Sequence, residues 1–123
     1  MKKIGVLKQE IIDLLRLDIE VGTEIFVGQQ NIDHMKARHP IDFENYFYRI
    51  QEIVDDPDYV RLNDKDNSID YVKLYQINRD YIQVSVRVSG AGIYYARTLF
   101  SLATYKAEKY IEQGTLIPVS PKI

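Results

Sequence analysis

Between Tyr81 and Ser89 the chain alternates without a break, with Ile82, Val84, Val86 and Val88 set against Gln83, Ser85, Arg87 and Ser89. Successive strand residues point to opposite faces of a sheet, so this stretch dictates a strand with one apolar and one polar face. Two neighbouring segments, Ile69 to Ile77 and Ile93 to Phe100, continue the period, and turn-forming Asn78-Arg79-Asp80 and Gly90-Ala91-Gly92 separate them from the central one. The expectation is a three-stranded antiparallel meander.

Upstream the period is helical. In Pro40 to Val54 the residues Phe43, Tyr46, Phe47, Ile50, Ile53 and Val54 recur at three and four positions, which makes one buried stripe with Glu44, Arg49 and Glu52 outside it. A shorter helix is expected from Gln30 to His39, ended by Pro40, whose ring disfavours helical geometry in the residue before it. Asp55, Asp56 and Pro57 stop the longer helix, and Tyr59 to Leu62 reads as a short strand. Nearer the start, a helix around Gln9 to Leu15 and a strand around Glu24 to Val27 closed by Gly28 are expected. A last helix, about Thr104 to Gln113, turns Ala107, Tyr110 and Ile111 inward and ends at Gly114. The order predicts an α+β fold: N-terminal helices, then a twisted antiparallel sheet, then a C-terminal helix. Without repeats or linkers, the 123 residues are expected to form a single domain over 1–123.

Composition excludes several chemistries. Zero cysteines remove disulfide scaffolds, thiolate metal sites and cysteine nucleophiles together. No run approaches the roughly 18 apolar residues of a membrane span, and Lys8, Gln9 and Glu10 interrupt the first apolar stretch too early for a secretory segment. A cytoplasmic location and no membrane partner are expected. With a net charge of −2 the chain has no global attraction for nucleic acid, so any such binding needs a local concentration of cations.

Strand alternation supplies one. With Ser89 opposite Ile93, the second hairpin pairs Val86 with Ala96, Arg87 with Tyr95 and Ser85 with Arg97. With Ile77 opposite Tyr81, the first pairs Leu74 with Val84, Lys73 with Ser85 and Tyr71 with Arg87. One face would then collect Tyr71, Lys73, Tyr75, Gln83, Ser85, Arg87, Tyr95 and Arg97, with no carboxylate. Cations suit phosphates and tyrosine rings stack on unpaired bases, so single-stranded RNA fits such a face. Half-exposed strands also carry these residue types simply because they suit a solvated sheet.

Both histidines lie between Asn31 and Pro40. On a helix Ile32, Met35 and His39 share an apolar stripe, whereas His34 and Arg38, four apart, share another face. An imidazole can shuttle protons at neutral pH, and a neighbouring guanidinium can hold a phosphate. His39 is expected to be packed or helix-terminal, with a pocket-facing position as the alternative. The two histidines diverge and no cysteine supports them, so no metal site and no cofactor are expected.

His34, Arg38-His39-Pro40, Phe43, Tyr46, Ile53, Pro57-Asp58-Tyr59-Val60, Val84-Ser85-Val86-Arg87-Val88 and Arg97-Thr98-Leu99 together resemble the phage-associated barnase/EndoU/colicin/RelE-like nucleases, over roughly Asn31 to Phe100. That resemblance implies a metal-independent ribonuclease, in which the RNA 2′-hydroxyl attacks its own 3′-phosphate to leave a cyclic phosphate. It implies catalytic roles for His34 and His39 in proton transfer, with Tyr95 as an alternative to His39, and for Arg87 and Arg97 in stabilising charge. Arg38, Lys73, Tyr75, Ser85, Ser89, Tyr95 and Thr98 would contact substrate, although the expected register turns Thr98 toward the core. Two departures stand out: the chain is slightly acidic where such toxins are commonly basic, and no carboxylate falls on the expected face.

The leading expectation is therefore an RNA-cleaving toxin or effector of a phage or mobile element, held in check by an immunity or antitoxin protein. The alternative is a catalytically inactive module that binds nucleic acid or a protein through the same face.

Overall fold

A computed structural model describes residues 1–119. Its elements in chain order are β1 (Lys2–Val6), α1 (Gln9–Leu15), β2 (Glu24–Val27), α2 (Gln29–Arg38), α3 (Pro40–Tyr46), a 3-10 turn (Phe47–Arg49), α4 (Ile50–Asp55), β3 (Tyr59–Asn63), β4 (Ser68–Tyr75), β5 (Asp80–Val88), β6 (Tyr94–Leu102), α5 (Thr104–Glu112) and β7 (Ile117–Pro118). The fold is α+β, as the order of periods predicts. One open seven-stranded sheet runs β1-β2-β6-β5-β4-β3-β7. Every pairing is antiparallel except β2 with β6. Among the described residues no helix is long and apolar enough to cross a membrane.

The expected helix from Pro40 to Val54 is broken. Tyr46 (φ −132°, ψ −11°) and Arg49 (φ −103°, ψ 9°) leave helical geometry, where three successive aromatic residues with poor helix preference coincide with a Tyr46 hydroxyl bonded to Asp80. The stripe survives the break: Tyr46, Ile50, Ile53 and Val54 are buried, and Phe43 stacks on Phe47 at 4.5 Å.

The sheet carries apolar side chains on both faces. Ile69, Tyr71, Ile82, Val84, Val86, Ala96 and Leu99 meet α1, α2 and α4 in the main core. On the reverse face Val72, Tyr81 and Leu102 meet Ala107 of α5 and Leu116, with Leu74, Phe100, Tyr110 and Ile111 partly buried around them.

This second core corrects the expected register of β4. Tyr75 pairs with Asp80 and Leu74 with Tyr81, three residues away from the expected pairing, across a four-residue turn in which Arg79 takes φ +55°. An odd slip exchanges faces. Tyr71, Lys73 and Tyr75 therefore lie on the helix-covered side, while Asp70, Val72 and Leu74 share the side of Gln83, Ser85 and Arg87. Alternation misleads here because Val72 is buried and Leu74 partly buried under α5, so neither face of β4 is uniformly polar and neither fixes its orientation.

A second correction lies in β6. Val86 pairs with Ala96 and Arg87 with Tyr95 as expected, but Ser85 pairs with Thr98, so Arg97 is the extra residue of a β-bulge. The bulge keeps Leu99 in the core opposite Val84 and turns Thr98 to the Ser85 side, rather than inward.

Candidate active site: a basic groove between α2 and the open sheet face

Among the described residues β2 pairs with β6 only at Tyr94 and Tyr95. Beyond that point α2 and α3 pack beside β6 in place of a strand, and the gap between α2 and the bulged strand is a groove. Met35 anchors it, fully buried in the main core. Residues one position away on the helix therefore face outward along β6.

Two adjoining clefts share His34 and Thr98. One, of about 310 Å³, is completed by Met35, Arg38 and His39. The other, of about 330 Å³, is completed by Gln30, Asn31, Arg87 and Arg97. Past Gln30, Asn31 and Arg97 the groove widens into a lobe of about 500 Å³ that reaches Ser89 and Tyr95.

His34 and Arg38 are exposed on one side of α2, and among the described residues no hydrogen bond or ion pair engages the His34 ring. His39 sits at the α2–α3 corner ahead of Pro40, half-buried, with its ring stacked on Phe100 at 5.4 Å. Packing and cleft lining, offered above as alternatives for His39, occur together. Arg87 makes one long contact, 3.5 Å from Nη1 to Asp66 at the rim. The Arg97 Nε is buried without a hydrogen-bond partner among the described residues. No carboxylate lines any of the three spaces, so the groove is a concentration of positive charge on an acidic chain.

The register change removes Lys73 and Tyr75 from this surface. Lys73 Nζ bonds the Asp56 backbone oxygen at 2.7 Å, and the Tyr75 hydroxyl bonds Glu52 at 2.5 Å, both at α4. That hydroxyl holds the Glu52 carboxyl below its ordinary value, and burial pushes the Tyr75 phenol up.

The expected absence of carboxylates also needs correction, because Asp70 joins the open sheet face, fully buried. It accepts from Arg61 Nε at 2.6 Å and from the Ser85 hydroxyl at 2.8 Å, and Arg61 in turn lies over the Tyr110 ring. Ser85 is thus tied into a buried network rather than lining the groove. Burial pushes the Asp70 carboxyl up, against the downward pull of Arg61 and Ser85.

Gln30 and Asn31 line the groove although sequence reading did not single them out. The available signal was Asn31 three residues after Gly28, a helix-capping spacing. Among the described residues no cluster of three or more His, Asp or Glu side chains is placed to share a metal ion.

One comparison with known families matches the chain. A family model described as phage-Barnase-EndoU-ColicinE5/D-RelE like nuclease3 covers residues 2–109. The chain belongs to this family. No curated protein and no solved structure matches it. The nuclease family match extends beyond the Asn31 to Phe100 stretch that carried the resemblance, taking in β1, α1, β2 and most of α5. Membership in a phage-associated nuclease family implies a nucleic-acid substrate.

Proposed function

We propose that the protein is a metal-independent endoribonuclease that cleaves single-stranded RNA by 2′-hydroxyl attack. One observation carries the reading: His34 is common to two adjoining clefts, one holding Arg38 and His39 and the other holding Arg87 and Arg97. A phosphodiester lying across His34 meets two imidazoles and three guanidiniums at once.

The chemistry follows from that convergence. One imidazole takes the 2′-hydroxyl proton as the oxygen–phosphorus bond forms. Charge then grows on the non-bridging oxygens, where the Arg87 and Arg97 guanidiniums donate hydrogen bonds. The bond to the 5′-oxygen breaks, and the second imidazole, which enters the step protonated, gives its proton to that leaving group. The products are a 2′,3′-cyclic phosphate and a free 5′-hydroxyl, with no water consumed. Arg38 holds a neighbouring phosphate, and Tyr95 stands as the alternative to His39 for the second transfer. An immunity or antitoxin protein that restrains such a toxin would cover the groove with acidic side chains, by charge complementarity.

Incubation of the purified protein with single-stranded RNA in excess chelator tests this, with His34→Ala alongside. The expected result is cyclic-phosphate products from the wild type and none from the variant. Salt-sensitive binding without products would instead identify the catalytically silent module. Absence of both cleavage and binding would overturn both readings.

A further inference from the structure

The turn between β3 and β4 is tied down by its own side chains. Asn63 Oδ1 accepts the Lys65 N–H at 3.0 Å, the Asn67 N–H bonds the Asn63 backbone oxygen at 2.8 Å, and Asn67 takes φ +59°, a conformation that asparagine tolerates. Asp66 lies within this turn, and its Oδ1 accepts the Ser68 N–H at 3.0 Å. The Ser68 hydroxyl, that N–H and the Arg87 charge hold the Asp66 carboxyl below its ordinary value, against the upward pull of burial, so it is ionised at neutral pH. Its second oxygen, Oδ2, faces Arg87 Nη1 at 3.5 Å. The carboxylate is thus fixed through Oδ1 independently of the guanidinium it meets. Arg87, in turn, is held at one corner only, because its Nε and Nη2 have no hydrogen-bond partner among the described residues. Ser68 opens β4 one residue before Ile69, and Ile69 pairs with Val86, so the turn stands beside Arg87 where that residue lines the cleft with His34.

We propose, resting on the ribonuclease reading above, that Asp66 is a positioning residue. It holds the Arg87 guanidinium in one orientation at the rim, with Nε and Nη2 left for the scissile phosphate, and it weakens RNA binding in doing so. The Arg87 and Asp66 side chains are 40% and 41% exposed, so the pair adds little to stability. At 3.5 Å it is also loose enough for a phosphate oxygen to take shorter, stronger bonds from the same fork. A carboxylate at the rim repels the phosphate backbone. An arginine released from it would meet phosphates more readily but in many orientations, and rate depends on a donor already aimed at the charge that develops. Removal of the Asp66 charge therefore moves affinity and rate in opposite directions. Simple repulsion at the rim would not slow the reaction, and damage to the turn would not tighten binding.

The test is Asp66→Asn, which keeps an oxygen for the Ser68 N–H and removes the charge. Single-turnover cleavage of a single-stranded RNA at saturating protein gives the rate, and fluorescence anisotropy of an all-deoxy analogue, which cannot react, gives the affinity. The variant should bind the analogue about two- to five-fold more tightly, while its saturating rate falls by about ten-fold and its thermal midpoint stays within a few degrees. In an Arg87→Ala background the same substitution should change the saturating rate by less than about two-fold, because it acts through Arg87. Where Arg87→Ala has no measurable rate, the opposed shifts of affinity and rate decide the matter alone. A saturating rate unchanged or raised in Asp66→Asn would make the carboxylate a rim charge and nothing more. A rate lost together with affinity, or lost equally in both backgrounds, would make it a structural part of the turn. Each of these results overturns the inference and leaves the ribonuclease reading standing, whereas a wild type that neither binds nor cuts RNA removes both.

Discussion

Asp42 holds Ser101 through two hydrogen bonds. One carboxylate oxygen accepts the Ser101 backbone N–H and the other its hydroxyl, both at 2.9 Å. Past Tyr95, β6 has no strand on that side among the described residues, and an unpaired edge invites unwanted pairing. Asp42 closes it, and by doing so ties the α2–α3 corner carrying His39 to the strand carrying Thr98. Asp42→Ala should cost about 1–2 kcal/mol in urea unfolding, the scale of a charge-assisted pair that is partly solvated. Asp42→Asn, which keeps one acceptor, should lose less. If the groove depends on this tie, cleavage should fall in Asp42→Ala well below what the lost folded fraction explains.

His39 has a packing role through Phe100 and a place in the cleft with His34. His39→Phe separates the two, because it retains the ring stack and removes the proton carrier. Stability should stay within about 1.5 kcal/mol of wild type, as for a volume-conserving replacement, while the single-turnover cleavage rate falls by about 10²-fold or more. An unchanged rate would pass the second proton transfer to Tyr95, and Tyr95→Phe would then show the loss.

Asp70 gives a pH dependence with a definite sign. Its ordinary value is 3.8, and in the folded protein burial raises it further than Arg61 and Ser85 lower it. Between those two values the native state holds a proton that the unfolded chain has released. The stability linked to that proton is fully present below 3.8 and is lost as pH rises through the native value. Acidification through this window should therefore stabilise the wild type relative to Asp70→Asn, as read by urea unfolding of both proteins over a pH series. A relative loss of wild-type stability on acidification would mean that the Arg61 contact outweighs burial.

How much of this was legible in sequence depended on whether each element had one buried face. β5 alternates strictly because only its valine side enters the main core throughout, so its orientation could be read directly. The helical stripe from Phe43 to Val54 was equally plain, though the break at Tyr46 was not, since the Asp80 contact that accompanies it lies in another element. β4 misleads because burial of Val72 and partial burial of Leu74 under α5 depend on where a distant helix docks. Strand β1 passed unread, and the Arg97 bulge could not be seen because one extra residue leaves no local mark in composition. The histidine helix fared better. Helical spacing alone puts Met35 inward and His34 beside Arg38, and the structure sets that outward face along β6.

The register of β4 makes a last prediction that opposes the sequence expectation. The sequence places Lys73 and Tyr75 on the same sheet face as Arg87, but they bond Asp56 and Glu52 on the other side of the sheet. A cation that never approaches the substrate contributes nothing to counterion release on binding. Lys73→Ala and Tyr75→Phe should therefore leave RNA affinity within about two-fold of wild type, the ordinary range for substitutions away from a site. Arg87→Ala removes a groove cation whose one ion pair among the described residues is a long contact to Asp66, so it should weaken binding to every sequence and reduce the slope of log affinity against log salt by about one unit. Fluorescence anisotropy with a labelled deoxy oligomer over a salt series reads all three variants on one scale. A salt slope that falls for Lys73→Ala and not for Arg87→Ala would move the binding surface to the helix-covered side, and the groove would lose its assignment.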